Sequence, residues 1–347
     1  MKGVYTMHKM LLSLIILFIL GTAKGQQLKL EMLQEGKDAS FRGMSIPSDS
    51  VAWISGSKGT IVKTTDGGEN WTWLKTEGYE DFDFRSITAF SDKKAIVVNA
   101  GSPAVILLTE DGGTSWKKVY SYDAKEIFYD GISFWDDKRG VVFGDPIEGK
   151  LQLLVTEDGG HTWMNISDDA NVQMKGGEAG FAASGTSIRT AGNGLVWIGT
   201  GGTQARLLFS YNYGQSWTSY KVPIEQGEAS QGIFSLAINE QKQLIAIGGD
   251  YKNFKNNNNI IQLSTNGMSW NAPKTRLSGY KSCVDFVDDT FVLATGTSGT
   301  DFSVDGGQSW KLLDEKSFNV VRASGTGTLV LLAGDKGNIY RLVKGDK

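Results

Sequence analysis

Apolar residues along this chain fall in short runs rich in β-branched and aromatic side chains, separated by turns of glycine, aspartate, asparagine and serine. The stretch beginning at Phe84 shows the order of these runs most clearly. Phe84–Phe90 predicts a first strand, Ala95–Asn99 a second, Val105–Thr109 a third and Trp116–Tyr120 a fourth. Equivalent first strands begin near Phe41, Phe84, Phe128, Gly180, Gln231, Tyr280 and Phe318, which gives seven units. The pattern predicts an all-β fold, a seven-bladed β-propeller of four-stranded antiparallel blades.

The link from third to fourth strand is a repeated box, T-x-D-G-G-x-x-W. It stands in full at Thr64–Trp71, Thr109–Trp116, Thr156–Trp163 and Ser303–Trp310. Ser210–Trp217 carries Asn212 for the aspartate, and Ser264–Trp270 carries Asn266 and is one residue shorter. The aspartate accepts hydrogen bonds from the backbone ahead of it, and glycine supplies positive φ, as Gly67, Gly112, Gly159 and Gly306 do here. The tryptophan anchors the turn, since a fully buried indole covers roughly 150–250 Å², worth at most about 4–6 kcal/mol. Asp66, Asp111, Asp158 and Asp305, with Trp71, Trp116, Trp163, Trp217, Trp270 and Trp310, are therefore read as turn-formers.

Six boxes serve seven units, and the missing one explains the ends of the chain. Residues 334–341 match residues 56–63, and the sequence then stops before a fourth strand. Leu28–Leu33 stands where that strand belongs. The last blade is thus expected to be closed by the N-terminal strand, which removes the exposed sheet edges of an open array.

Residues 1–25 combine Lys2 and Lys9 with the apolar run Met10–Leu20 and end in Ala23-Lys24-Gly25, the pattern of a cleaved signal peptide. That run is too short to span a bilayer, which takes about 20 residues. Residues 26–347 then form a single propeller domain, exported to the periplasm or secreted, monomeric, and without an integral membrane segment. Loss of Lys2, Lys9 and Lys24 moves the net charge from −3 to −6, which disfavours nucleic acid as a partner. Cys283 is the only cysteine, so no disulfide framework exists. Beyond the leader His161 is the only histidine and it lies inside a box, so neither a Ser-His-Asp triad nor a His-ligated zinc site is available. The glycine pairs at Gly192, Gly199 and Gly325 lack the rest of a dinucleotide fingerprint, and no cofactor or metal is expected.

With this strand order the boxes lie on one face and the divergent loops on the other. Those loops bring Asp145, Glu178 and Asp250 toward the central channel, with Arg206, Tyr251 and Arg85 close by. These six are the candidate ligand-binding residues. A carboxylate pair about 5–10 Å apart would suit glycoside hydrolysis with Asp145, Glu178 or Asp250 as acid, base or nucleophile.

The box resembles the Asp-box, or bacterial neuraminidase repeat, of sialidases and sortilin-type receptors, where it is structural. Seven units with a Phe-Arg-x-Ile-like first strand, a Gly-x-x-Gly-x-Ile loop and the box are similar, over nearly all of residues 26–347, to the photosystem II assembly and stability factor family. The resemblance implies a non-enzymatic binding or assembly scaffold with an arginine-bearing surface, whose partner is another exported or membrane protein, or a glycan. Arg42 and Arg85 match the arginine position in two blades, and Tyr129, Lys281 and Asn319 stand nearby in others. Some relatives carry an oxidoreductase label, for which this chain has no redox residues. The alternative from another class is a sialidase-like, glycoside-acting enzyme.

Overall fold

A computed structural model describes residues 28–344, so the signal-peptide reading of residues 1–25 lies outside the described residues. Seven antiparallel sheets follow one another around a ring. The first strand of blade one, Phe41–Ser45, packs against that of blade two, Ser86–Ala89, on one side and that of blade seven, Val320–Ala323, on the other, which closes the circle. Each blade is a sandwich filling, buried on both faces. In the strand Ala95–Val98, Ala95 and Val97 join a cluster with Trp53 and Ile61 of blade one, while Ile96 and Val98 join Tyr129, Ile132 and Val142 of blade three. Burial on both faces is why the runs read as continuously apolar instead of alternating.

The last blade is built from both ends of the chain. Val320–Ala323, Val330–Ala333 and Ile339–Lys344 take Leu28–Gln34 as their outer strand, in the register Leu28↔Lys344, Leu30↔Leu342 and Met32↔Tyr340. Leu30 is buried in the cluster shared with Phe41, Val320 and Ile339, so closure is a packed contact as well as a hydrogen-bonded ladder. Arg341 donates across the seam to Glu31 (2.9 Å) and Glu69 (2.7 Å).

Five of the six boxes adopt one geometry, and the shortened Ser264 box closes the same turn one residue earlier, with Gly267 N–H donating to Ser264 Oγ (2.8 Å). In the first, the Thr64 hydroxyl donates to Asp66 (2.8 Å), Gly68 N–H donates to Thr64 Oγ1 (2.9 Å), and Asn70 N–H donates to Asp66 Oδ1 (2.9 Å). Both glycines are left-handed, Gly67 at φ 73° and Gly68 at φ 96°. These bonds, first of all from the Asn70 backbone, hold the exposed Asp66 carboxyl down at about 2, and the Ser115 and Thr162 bonds do the same for Asp111 and Asp158. Gly67, Gly112, Gly159 and Gly306 donate to the turns between first and second strands, so boxes and these turns share one face. The tryptophans anchor less deeply than expected: only Trp310 is buried and the other five are half-buried. The turn sits at the blade rim, where one face of the indole meets water.

Two blades depart from the repeat. The fourth begins at Ile188–Ala191, not near Gly180, because the small residues before it serve another purpose described below. In the fifth, the strands Gln231–Ile238, Leu244–Asp250 and Ile261–Ser264 are followed by a single bridge, Leu263↔Asn271. The shortened box leads there into Pro273, which has no N–H to extend a ladder. No helix among the described residues is long and apolar enough to cross a membrane.

Candidate functional site

The face opposite the boxes carries a cavity of about 560 Å³ over the mouth of the central channel. Its rim comes from one repeated position, the residue that immediately precedes the regular pairing of first with second strand in each blade. Arg42, Arg85, Asp130, Phe234, Ser282 and Asn319 occupy that position in six blades and line the cavity. In blades one, three and five the register slips at this residue, at Arg42, Asp130 and Phe234, so each is an unpaired bulge residue. A bulge re-aims one side chain without ending the strand. Relative to the sequence alignment, the functional position of blades three and six lies one residue later, at Asp130 and Ser282. Tyr129 is turned into the core between blades two and three, and Lys281 is buried against Asp301 at 2.5 Å.

The floor is the segment 180–186, which crosses the channel instead of forming a strand. Arg42 donates to Ala183 O (3.1 Å) from blade one, Ser184 Oγ donates to Ser282 O (2.8 Å) in blade six, and Thr186 O accepts from Leu236 N–H in blade five. Gly185 lies against Ser86 and the Arg85 carbonyl of blade two at φ +66°, where a Cβ would sit 2.6 Å from Ser86 Oγ. Small residues here let the chain pass through the ring.

Charge and aromatic surface are segregated around the rim. Arg85 pairs with Asp83 (2.7 Å), and Arg42 is held below its usual range by burial and by the neighbouring Arg85 guanidinium. Opposite in sign, Asp130 is buried, and burial together with Asp145 holds it well above the usual carboxylate range against the weaker pull of Arg85 and the Ala182 backbone N–H. Asp145 is also raised by burial and accepts from Gly180 N–H (2.8 Å), which ties the floor to blade three. Across the cavity Phe181 stacks on Phe234 with centroids 3.8 Å apart, and Tyr280 and Tyr251 meet Phe234 edge-on at 4.9 and 6.1 Å. Tyr251 is 46% exposed and forms the outer lip.

Of the six residues singled out by sequence, Arg85, Asp145 and Tyr251 line this cavity. Glu178 and Arg206 do not. Arg206 grips Glu178 through Nε (2.8 Å) and Nη2 (2.7 Å), Thr200 Oγ1 (2.6 Å) and Lys175 N–H (3.0 Å) fill the carboxylate's remaining acceptor sites, and Arg206 also donates to Gln173 O (3.0 Å) and Ser219 Oγ (3.1 Å). Asp250 caps its own loop. Burial pushes its carboxyl up, but hydrogen bonds from Ser230, Lys252 and Gln231 outweigh that and hold it below the usual range. Arg42, Asp130, Phe181, Phe234 and Tyr280 complete the site and were not among the six. The signal for three of them was present in the repeat, since Arg42, Asp130 and Phe234 share the position of Arg85. Among the described residues no cluster of three or more His, Cys, Asp or Glu side chains could hold a metal.

Residues 21–125 match the family model described as Photosynthesis system II assembly factor YCF48. No curated protein sequence matches the chain. Among solved structures, YCF48 bound to D1 peptide is 18% identical, with a TM-score of 0.64 over 92% of this chain and 97% of that one. YCF48 from Cyanidioschyzon merolae is 18% identical, with a TM-score of 0.63 over 90% of this chain and 98% of that one. A GH74 xyloglucanase from Xanthomonas campestris shares the fold at 13% identity and a TM-score of 0.63, over 90% of this chain but 53% of that one. At these identities the structures speak to fold alone. The chain is thus a seven-bladed Asp-box propeller that resembles the YCF48 type of photosystem II assembly factor, in sequence over residues 21–125 and in fold over nearly its whole length.

Proposed function

We propose that this protein is an exported, non-enzymatic binding or assembly propeller that docks a segment of another exported or membrane protein on its loop face. The observation that carries the reading is the rim of the channel mouth, where the guanidinium groups of Arg42 and Arg85 stand across from the aromatic ledge of Phe181, Phe234, Tyr251 and Tyr280. Guanidinium groups suit carboxylates and backbone carbonyls, and an aromatic ledge suits apolar side chains, which together describe a peptide. The likeness to YCF48 bound to D1 peptide supports a peptide as the class of ligand. The test is a parallel capture from envelope extract and a glycan array, with wild type and an Arg42→Ala/Arg85→Ala double variant. A protein retained by wild type and weakened about tenfold or more in the variant, at unchanged melting temperature, supports the reading. Equal capture by both, or a glycan as the bound class, overturns it.

A glycoside-acting enzyme is the second reading. Asp145 beside Asp130, whose carboxyl burial and the Asp145 charge hold well above the usual carboxylate range, is the observation in its favour, because hydrolysis needs one carboxylic acid and one carboxylate. Against it, both Asp130 oxygens are sealed from solvent. Turnover of chromogenic glycosides that disappears in Asp145→Asn would establish it. Export is checked by fractionation and N-terminal sequencing, with a mature chain beginning near Gln26 expected and a full-length cytoplasmic chain overturning it.

A further inference from the structure

Three residues further along each first strand, a second ring follows below the floor segment: Ser45, Thr88, Ser133, Arg189, Ala237, Asp285 and Arg322. Of these, Ser45, Thr88, Ser133, Arg189 and Arg322 line one cavity, Ala237 is packed into the core between blades, and Asp285 reaches the two guanidinium groups from the neighbouring groove. The charges of this ring do not balance. Arg189 (3.4 Å) and Arg322 (3.1 Å) both donate to Asp285 Oδ1, while Asp285 Oδ2 is taken by Ala323 N–H (3.0 Å). One positive charge is left over in a confined space, with Arg189 13% and Arg322 26% exposed. Burial, and then repulsion from Arg322, pull the Arg189 guanidinium down to about 10. Arg322 Nε is buried and donates to no protein acceptor. An uncompensated buried charge and an unused buried donor both cost free energy unless something fills them.

The space is there. A cavity of about 260 Å³ is bounded by Arg189, Arg322, Ser45, Thr88, Ser133 and Thr190, and Ser184–Thr186 of the floor segment close its loop-face end. That is several times the roughly 30 Å³ share of a water molecule. We propose that the central channel binds one small tetrahedral oxyanion between the guanidinium groups of Arg189 and Arg322. Planar guanidinium forks match the oxygens of such an ion, and the Thr88 hydroxyl can donate to it as well, while those of Ser45, Ser133 and Thr190 are spent on Ala89 O, Thr190 Oγ1 and Phe134 O. Glu240, Asp285, Asp288 and Asp289 line the neighbouring groove on the box face together with Arg322, so selectivity comes from the ring itself and not from the approach. The site is separate from the loop-face cavity and does not depend on what docks there.

The probes are inorganic phosphate and sulfate, measured by calorimetric titration and by melting temperature in chloride-free buffer. Saturable one-to-one binding with a raised melting temperature is expected. Arg322→Gln removes the surplus charge and weakens binding about tenfold to hundredfold. Asp285→Asn increases the surplus and tightens it. Arg85→Ala, on the other ring, leaves the affinity unchanged. Absence of saturable binding by wild type at 10-millimolar-scale anion, an affinity in Arg322→Gln equal to wild type, or a loss in Asp285→Asn overturns the proposal. Circular dichroism and melting of each variant keep a folding defect apart from a binding one.

Discussion

Replacing Glu178 with Gln tests most sharply how charge is used in this ring. The substitution keeps the shape of the side chain and removes its charge, leaving the Arg206 guanidinium without a counter-ion. Glu178 has no exposed side-chain surface and Arg206 only 11%. Removing one partner of such a buried pair costs about 3–5 kcal/mol, because the remaining charge stays desolvated. Glu178–Ala179 pairs with Gly201–Gly202, which in turn joins blade five at Gly232, so the strain falls on the junction between blades four and five. At about 2 °C per kcal/mol for a chain of this size, the melting temperature is expected to fall by roughly 6–10 °C. Differential scanning calorimetry of Glu178→Gln, Arg206→Met and the Glu178→Leu/Arg206→Met pair completes a double-mutant cycle, in which the paired apolar variant recovers much of the loss. Partner binding at the loop-face rim, measured where the variants remain folded, stays at the wild-type value. A Glu178→Gln protein that melts within 2 °C of wild type, or that loses binding without losing stability, refutes the structural role.

Four further expectations are open to simple measurement. Deleting residues 26–35 strips Leu28–Gln34 from the last blade, exposes the Ile339–Lys344 edge and lowers the melting temperature; unchanged melting contradicts closure by this strand. Trp310→Ala costs about 3–5 kcal/mol in a denaturant melt, and Trp71→Ala less, because only Trp310 is buried. Stability against pH has two limbs of opposite sign. Asp130 is raised in the folded state, so the fold takes up a proton that the unfolded chain does not and stability rises as pH falls from neutral toward about 4. The box carboxyls, depressed to about 2, stabilise above the unfolded value near 4 and lose that contribution as pH falls from about 4 to 2. Asp130→Asn flattens the upper limb only, as urea melts across pH will show. Gly185→Ala places a Cβ against Ser86 in a left-handed conformation costing about 1–2 kcal/mol, shifts the floor segment, and weakens partner binding more than it lowers the melting temperature.

The box spacing made the ring legible from sequence, because each turn is a local device whose residues lie within eight positions of one another. Closure by Leu28–Gln34 was equally legible, since a strand absent at one end of the repeat has to come from the other. The start of blade four was not. Residues 178–187 have the composition of a strand start, and only the positions of Ser282, Arg42 and Leu236, far away in sequence, show that the segment crosses the channel. The loop-face chemistry was half legible for the same reason. Glu178, Arg206 and Asp250 carry chemically suitable groups, but their partners, Thr200, Lys175, Ser230 and Gln231, were unknown until the chain was folded. Asp130 and Phe234 were hidden because the starts read at Phe128 and Gln231 lie one and two residues ahead of Tyr129 and Ile233, which pair as Phe41 does in blade one.

The central claim, that the loop face and not the box face receives the partner, is tested most directly by site-specific photo-crosslinking in cells. A photoreactive residue is placed in turn at Tyr251, on the lip of the channel-mouth cavity, and at Tyr211, 63% exposed in the fourth box. Adducts with a discrete protein from the Tyr251 position, abolished by Arg42→Ala/Arg85→Ala, with none from Tyr211, are the result predicted. Adducts from Tyr211 alone, or equal adducts from both that survive the arginine substitutions, would contradict it.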